Sequence, residues 1–174
     1  MGKVLVGVTN DVIDLSQVAL WEPDSSHGAG NIFVGYVRNL NLGRSVTAVE
    51  YDCFESLARK VFSEIAEEAQ QKFGSDTSVY ILHRHGRLAV GEISVAIFVT
   101  TKHRDESYRA SRYVIEEIKT RAPIWKKEFY VDGETEWVRG HALCQHRKVD
   151  HHEVGEKHHG SGSCGGHVHS HEAR

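Results

Sequence analysis

Pro123 sets the tightest constraint on this chain. Proline has no amide hydrogen to donate and disfavours helical geometry at the residue before it. A helix carrying Lys119 must therefore stop near Arg121 or Ala122, and the chain beyond it must fold back. The run from Ile118 to Glu128, IKTRAPIWKKE, sets Lys119 and Arg121 before that stop and Lys126 and Lys127 after it, with Trp125 between. Cations gathered at a helix end beside an aromatic suit a pocket for a small anion, although any helix favours Lys and Arg in its last turn to complement its dipole. The positive charge is local. Thr100 to Glu128 holds eight Lys and Arg against five Asp and Glu, whereas the whole chain has a formal net charge of -3.

A length of 174 residues allows one domain with a real core and a small appended subdomain, but not a second full domain. With 40% hydrophobic and 26% charged residues the composition is that of an ordinary soluble protein, and the slight negative charge speaks against nucleic-acid binding. No stretch approaches the roughly 18 apolar residues of a membrane span. The N-terminus, MGKVLVGVTNDVIDL, is acidic where a signal peptide would carry its cleavage region, so a cytoplasmic protein is expected. Cys53, Cys144 and Cys164 form no CxxC pair and leave one cysteine over, which fits a reducing compartment.

Composition changes near His141. From there to Arg174 the chain holds nine of its thirteen histidines and few apolar residues, too little apolar surface to offset the entropy of ordering it. The expectation is a domain over 1–140 and a disordered, His- and Gly-rich tail over 141–174. His151-His152, His158-His159 and His167 to His171, with Cys164 nearby, match no closed tetrahedral spacing, so no defined metal site is expected. A metal-handling or scaffold module working through this tail is the alternative functional reading.

Within 1–140 apolar spacing alternates between strand and helix signals. Strands are predicted at Lys3–Thr9, Asn31–Val37, Ser45–Tyr51, Val79–His83 and Glu92–Thr100, with a turn at Asn39–Gly43. Phe54, Leu57, Ala58, Val61, Phe62, Ile65, Ala69 and Phe73 recur at three and four, predicting a long helix closed by Gly74 as a left-handed cap. A second helix should begin near Asp105, turn Tyr108, Val114, Ile115 and Ile118 inward and end at the proline. Phe129–Val131 and Glu136–Val138 should form a hairpin around Asp132-Gly133. The order predicts an α+β fold, with helices on one side of a mainly antiparallel or mixed sheet.

Further basic spots fall at element ends. His103 and Arg104 lie between a strand and a helix start, where free amides favour phosphate. Arg38 follows a strand with Gly35 inside it, and such a glycine can mark the close approach of a ligand or another backbone. His83 and His85 flank Arg84 at a strand end and are expected to differ in direction, so that at most one faces a site, and a structural role is expected. Cys53 reads as a small packing residue. GxxxxGK[ST], GxSxG and HExxH are absent from the sequence, and GxGxxG occurs only as Gly160–Gly165 inside the His- and Gly-rich tail, after no predicted strand and before no predicted helix, so dinucleotide, P-loop, hydrolase and zincin chemistry lack their signatures.

Three segments, FVGYVRNLNLGRSVTAVEYDCFESLA (33 to 58), HRHGRLAVGEISVAIFVTTKHRDESYRASRYVIEEIKTRAPIWKKE (83 to 128) and DGETEWV (132 to 138), together resemble the catalytic large subunit of molybdopterin synthase, the MoaE family. The resemblance implies an α/β hammerhead-like core with two main helices and a small antiparallel β subdomain. It implies a sulfurtransferase that converts cyclic pyranopterin monophosphate (precursor Z) into molybdopterin. The sulfur would come from the C-terminal Gly-Gly thiocarboxylate of a small ubiquitin-like, MoaD-like partner, and large subunits would pair as a homodimer within a heterotetramer. Lys119 and Lys126 match the family's catalytic lysines. Arg38, His103 and Arg104 match phosphate-binding positions, with Arg38 supplied across the dimer interface, and Tyr36, Val37, Lys127 and Glu128 lie in substrate-contact segments. The resemblance implies no cofactor for the step. Gly165-Gly166 is internal here, so this chain is not expected to be the sulfur donor.

Overall fold

The computed structural model describes residues 1–19, 21 and 24–138, so the proposed tail over 141–174, with its histidines, Cys144 and Cys164, lies outside the described residues. The elements are β1 (Val4–Thr9), α1 (Ser16–Ala19), β2 (Ala29–Tyr36), β3 (Leu40–Asn41), β4 (Arg44–Cys53), α2 (Glu55–Phe73), β5 (Ser78–Arg84), β6 (Gly86–Ala89), β7 (Ile93–Thr101), α3 (Arg104–Arg121), β8 (Ile124–Tyr130) and β9 (Thr135–Trp137). They form an α+β fold with two sheets. The first runs β1-β5-β7-β2, mixed because β1 pairs parallel to β5 while the other pairs are antiparallel. The second is antiparallel and runs β3-β4-β8-β9, with β6 also paired to β4.

The two long helices pack on one face of the first sheet because their apolar stripes meet its inward residues. Ala58, Phe62, Ile65, Ala66 and Ala69 of α2 are fully buried, as are Ala110, Val114 and Ile118 of α3 and Val79, Ile81, Ile97 and Val99 of the sheet. On the opposite face Trp21 meets the rings of Tyr80 and Phe98 edge-on, at centroid distances of 5.3 and 5.7 Å. No helix among the described residues is long and apolar enough to cross a membrane.

The Pro123 stop behaves as its chemistry requires. Helix α3 ends at Arg121, the Ala122 N–H donates to the Ile118 carbonyl at 3.0 Å, and β8 starts at once with Ile124. The Pro123 carbonyl accepts the N–H of Phe54, the residue before α2, at 3.2 Å, which ties the start of one helix to the end of the other.

Several sequence expectations need correction. Tyr108 is 64% exposed rather than inward. The buried stripe of α3 is Ser107, Ala110, Ser111, Val114, Ile115 and Ile118, where two small serines let the helix approach the sheet and displace the tyrosine by one position. Gly74 has φ 126° and ψ 131°, an extended glycine conformation rather than a left-handed cap. The chain turns there, with the Thr77 N–H donating to the Gly74 carbonyl at 2.9 Å, and the turn is clipped by Gln70, whose Nε2 donates to the carbonyls of Gly2 and Thr77 at 2.9 Å each. Strand β8 begins five residues before the predicted Phe129, because its inward positions include Lys126 and Glu128 and so hide the apolar alternation. Strand β6 also forms, between the predicted strands Val79–His83 and Glu92–Thr100.

Ile118 is fully buried one residue before Lys119. Ile118→Ala should lower the unfolding free energy by about 2–5 kcal/mol, read as a lower denaturant midpoint with an unchanged slope.

Candidate active site

Strand register and helix phase place the basic residues. In the β4–β8 pairing Tyr51 stands opposite Lys126 and Val49 opposite Glu128. Cross-strand partners share a face, so Lys126 and Glu128 lie on one side of β8 and Lys127 on the other. Lys119 lies one helical turn beyond Ile115, at the end of α3 that the proline turn brings against this sheet. Arg38 leaves β2 just after an irregularity in the β2–β7 register between Gly35 and Tyr36.

These elements enclose a cavity of about 410 Å³ whose lining includes Arg38, Lys119, Lys126, Tyr36, Gly35 and Tyr51. His83 and Ser94 form part of its floor, and Phe33, Val95, Ile115 and Ile118 supply apolar wall. A smaller crevice of about 50 Å³ adjoins it, shared by Tyr36, Val37, Arg38, Lys126 and Glu128. The glycine in β2 matters here. A Cβ at Gly35 would come within 2.7 Å of a Val95 methyl carbon, so a side chain there would force the cavity wall to move.

The cations differ in how they are compensated. The Lys126 Nζ donates to Glu128 Oε1 at 2.7 Å, while Asn41 Nδ2 and the Tyr130 hydroxyl donate to Oε2 at 2.8 and 2.7 Å. Burial alone would raise the pKa of Glu128, but the bonds from Lys126, Tyr130 and Asn41 outweigh it and hold the carboxyl below its usual value. No carboxylate among the described residues pairs with Lys119 or Arg38. Positive potential therefore remains in the cavity, ready for an anion.

The family model described as "MoaE protein" matches residues 8–121. The chain belongs to the MoaE family. It is 49% identical over 136 residues to the molybdopterin synthase catalytic subunit of Synechococcus elongatus, covering 78% of this chain and 82% of that one. The corresponding protein of Dictyostelium discoideum is 35% identical over 151 residues, covering 86% and 96%. Among solved structures, molybdopterin synthase from Staphylococcus aureus aligns with a TM-score of 0.72 at 33% identity, covering 77% of this chain and 96% of that one.

In this MoaE-family chain the structure gathers Tyr36, Val37, Arg38, Lys119, Lys126 and Glu128 around the two connected hollows. Arg38 lines the cavity of its own chain. Lys127 faces away, its ammonium 5.2 Å from the Phe129 ring centroid and 5.8 Å from that of Trp137. His103 and Arg104 are exposed at the far end of α3, sixteen and fifteen residues before Lys119 and so at least roughly 22 Å from it along the helix axis. Nor does the thiol of Cys53 supply a nucleophile. Burial, with Glu55 and Asp52 nearby, pushes it up to about 11.

Tyr51, Ser94 and His83 were not among the expected site residues. His83 and His85 would share a face in a continuous strand, but β5 ends at Arg84, so His83 is buried within the strand while His85, past its end, meets Glu55 with Nε2 3.2 Å from Oε1. Burial pushes the pKa of His83 down to about 4 from its ordinary 6.5, more than the Arg84 carbonyl raises it. The unfolded chain therefore holds more protons between pH 6.5 and 4, and stability should fall as pH drops through that window. The loss should total about 3 kcal/mol by the linkage relation. The contribution of Glu128 is present above its ordinary 4.5 and fades at lower pH, as the carboxyl titrates through its depressed value. Denaturant midpoints measured against pH should show both losses, and His83→Phe should flatten the upper window alone.

Proposed function

We propose that the cavity holding Arg38, Lys119 and Lys126 is a sulfur-transfer site. The chain is a catalytic subunit of molybdopterin synthase, a sulfurtransferase of molybdenum-cofactor synthesis. One observation carries the assignment of the site: two lysines from opposite sides of the Pro123 turn, and an arginine from a separate strand end, line the same hollow.

In this reading the substrate is cyclic pyranopterin monophosphate, and sulfur arrives as the C-terminal thiocarboxylate of a small ubiquitin-like subunit threaded into the cavity. Lys119 pairs with no carboxylate among the described residues, so it is the better placed of the two amines to hold the incoming thiocarboxylate. Lys126, already balanced by Glu128, stabilises charge as it moves from sulfur to the departing carboxylate and shuttles protons. Arg38 grips substrate from within the same chain. His103 and Arg104 lie too far along α3 to reach that cavity, so their part as a phosphate site is served by a second copy of the chain in a homodimer. Tyr36, Val37 and Glu128 shape the substrate wall, and Lys127, on the other face of β8 against Phe129 and Trp137, stands away from it. The reaction is placed in the cytoplasm, where reducing conditions preserve thiocarboxylate and dithiolene sulfur.

Lys119→Ala should cut conversion of the pterin substrate at least about 100-fold, or roughly 2.7 kcal/mol of barrier, in an assay with thiocarboxylated small subunit and with thermal unfolding unchanged. Activity within about twofold of wild type would count against the site. Truncation after Gly140 should leave sulfur transfer intact, whereas a protein working through its histidine tail would lose its function with that segment.

A further inference from the structure

The cations of the cavity account for binding anions, but a pterin is mostly a flat ring system whose edge carries N–H and amino donors. Such donors need an acceptor, and ammonium and guanidinium groups have none to offer. His83 has the geometry to be one. Its Nδ1 lies 2.8 Å from the Arg84 carbonyl oxygen, and because a carbonyl only accepts, Nδ1 carries the hydrogen and Nε2 keeps a lone pair. The ring is 2% exposed and held edge-on to Tyr51, with centroids 5.2 Å apart and an interplanar angle of 79°.

The charged and titratable groups around this imidazole are Arg38 after β2, Tyr51 on β4, Lys119 on α3 and Lys126 on β8, with Arg84 and His85 beside it in sequence. Three of the four that share the cavity with it are cations. An imidazole among them remains neutral because burial and positive neighbours both oppose protonation. Around it, Phe33, Val95, Ile115 and Ile118 provide the apolar wall that a planar heterocycle needs.

We propose that Nε2 of His83 accepts a hydrogen bond from a ring N–H or amino group of the pterin, fixing the ring's orientation between the cations. This rests on the sulfur-transfer reading of the cavity and adds to it a residue that recognises the heterocycle rather than its phosphate. The bond serves binding and specificity; proton transfer is left to the lysines.

Two measurements test it. In steady-state sulfur transfer with saturating thiocarboxylated small subunit, His83→Phe should raise KM for the pterin substrate about tenfold, the size expected for one lost neutral hydrogen bond. His83→Gln, which keeps an acceptor, should stay within about threefold. A folded His83→Phe variant with KM within twofold of wild type, or one that loses kcat alone, would overturn the proposal. The second measurement needs no variant. In wild-type protein labelled with 15N at histidine, the Nε2 signal of His83 should be that of an unprotonated nitrogen and should move on adding a phosphate-free pterin, but not on adding inorganic phosphate. An unresponsive signal, or one moved by phosphate alone, contradicts it. Absence of sulfur transfer by the wild-type protein would instead refute the preceding functional reading, while the nitrogen signal still decides the role of His83.

Discussion

Everything at the site depends on the reversal at Pro123. Without it α3 would run on and carry Lys119 away from β8. With it, the chain leaves the helix, is caught by the bond between the Phe54 N–H and the Pro123 carbonyl, and enters β8 in register with β4. That register sets Lys126 opposite Tyr51, while the last turn of α3 sets Lys119 above the same hollow. A single residue that cannot donate a hydrogen bond thus fixes the relation between two amines seven positions apart in sequence. The two sheets and the buried stripes of α2 and α3 hold that relation rigid.

The site also divides its charge unequally. Placing two lysines and an arginine in one cavity costs free energy through mutual repulsion, and Glu128 relieves part of it. Its two carboxylate oxygens accept from Lys126, Asn41 and Tyr130, which fixes Lys126 in one position. Among the described residues no carboxylate pairs with Lys119 or Arg38. An arrangement of one compensated and two uncompensated cations suits a reaction in which anionic groups arrive and leave while one amine must remain in place.

Much of this was legible in the sequence, and the exceptions are instructive. The helix over 55–73 was readable from its three-and-four spacing, and the stop at Pro123 from its missing amide. Tyr108 was misplaced because Ser107 and Ser111, small enough to sit against the sheet, carry no hydrophobic signal. The start of β8 was hidden because Lys126 and Glu128 occupy inward positions for the sake of the site, where the alternation of an ordinary half-buried strand breaks down. The group around Lys119, Lys126 and Arg38 was foreseen, and the structure brings it together. His83, Tyr51 and Ser94 were not, since only tertiary packing reveals which of several inward residues face a hollow rather than a core. His103 and Arg104 stand apart from the cavity for a geometric reason: the helix that carries Lys119 at one end carries them at the other.

A double-mutant cycle on sulfur transfer tests most directly whether the two amines act together in one cavity. The values of kcat/KM for the wild type, Lys119→Ala, Lys126→Ala and the double variant would be compared under the same conditions. Amines that share one hollow should couple, the double variant losing less than the product of the single losses by at least about tenfold, or roughly 1.4 kcal/mol of interaction energy. Strictly multiplicative losses would mean that the two lysines act independently and would contradict a common site.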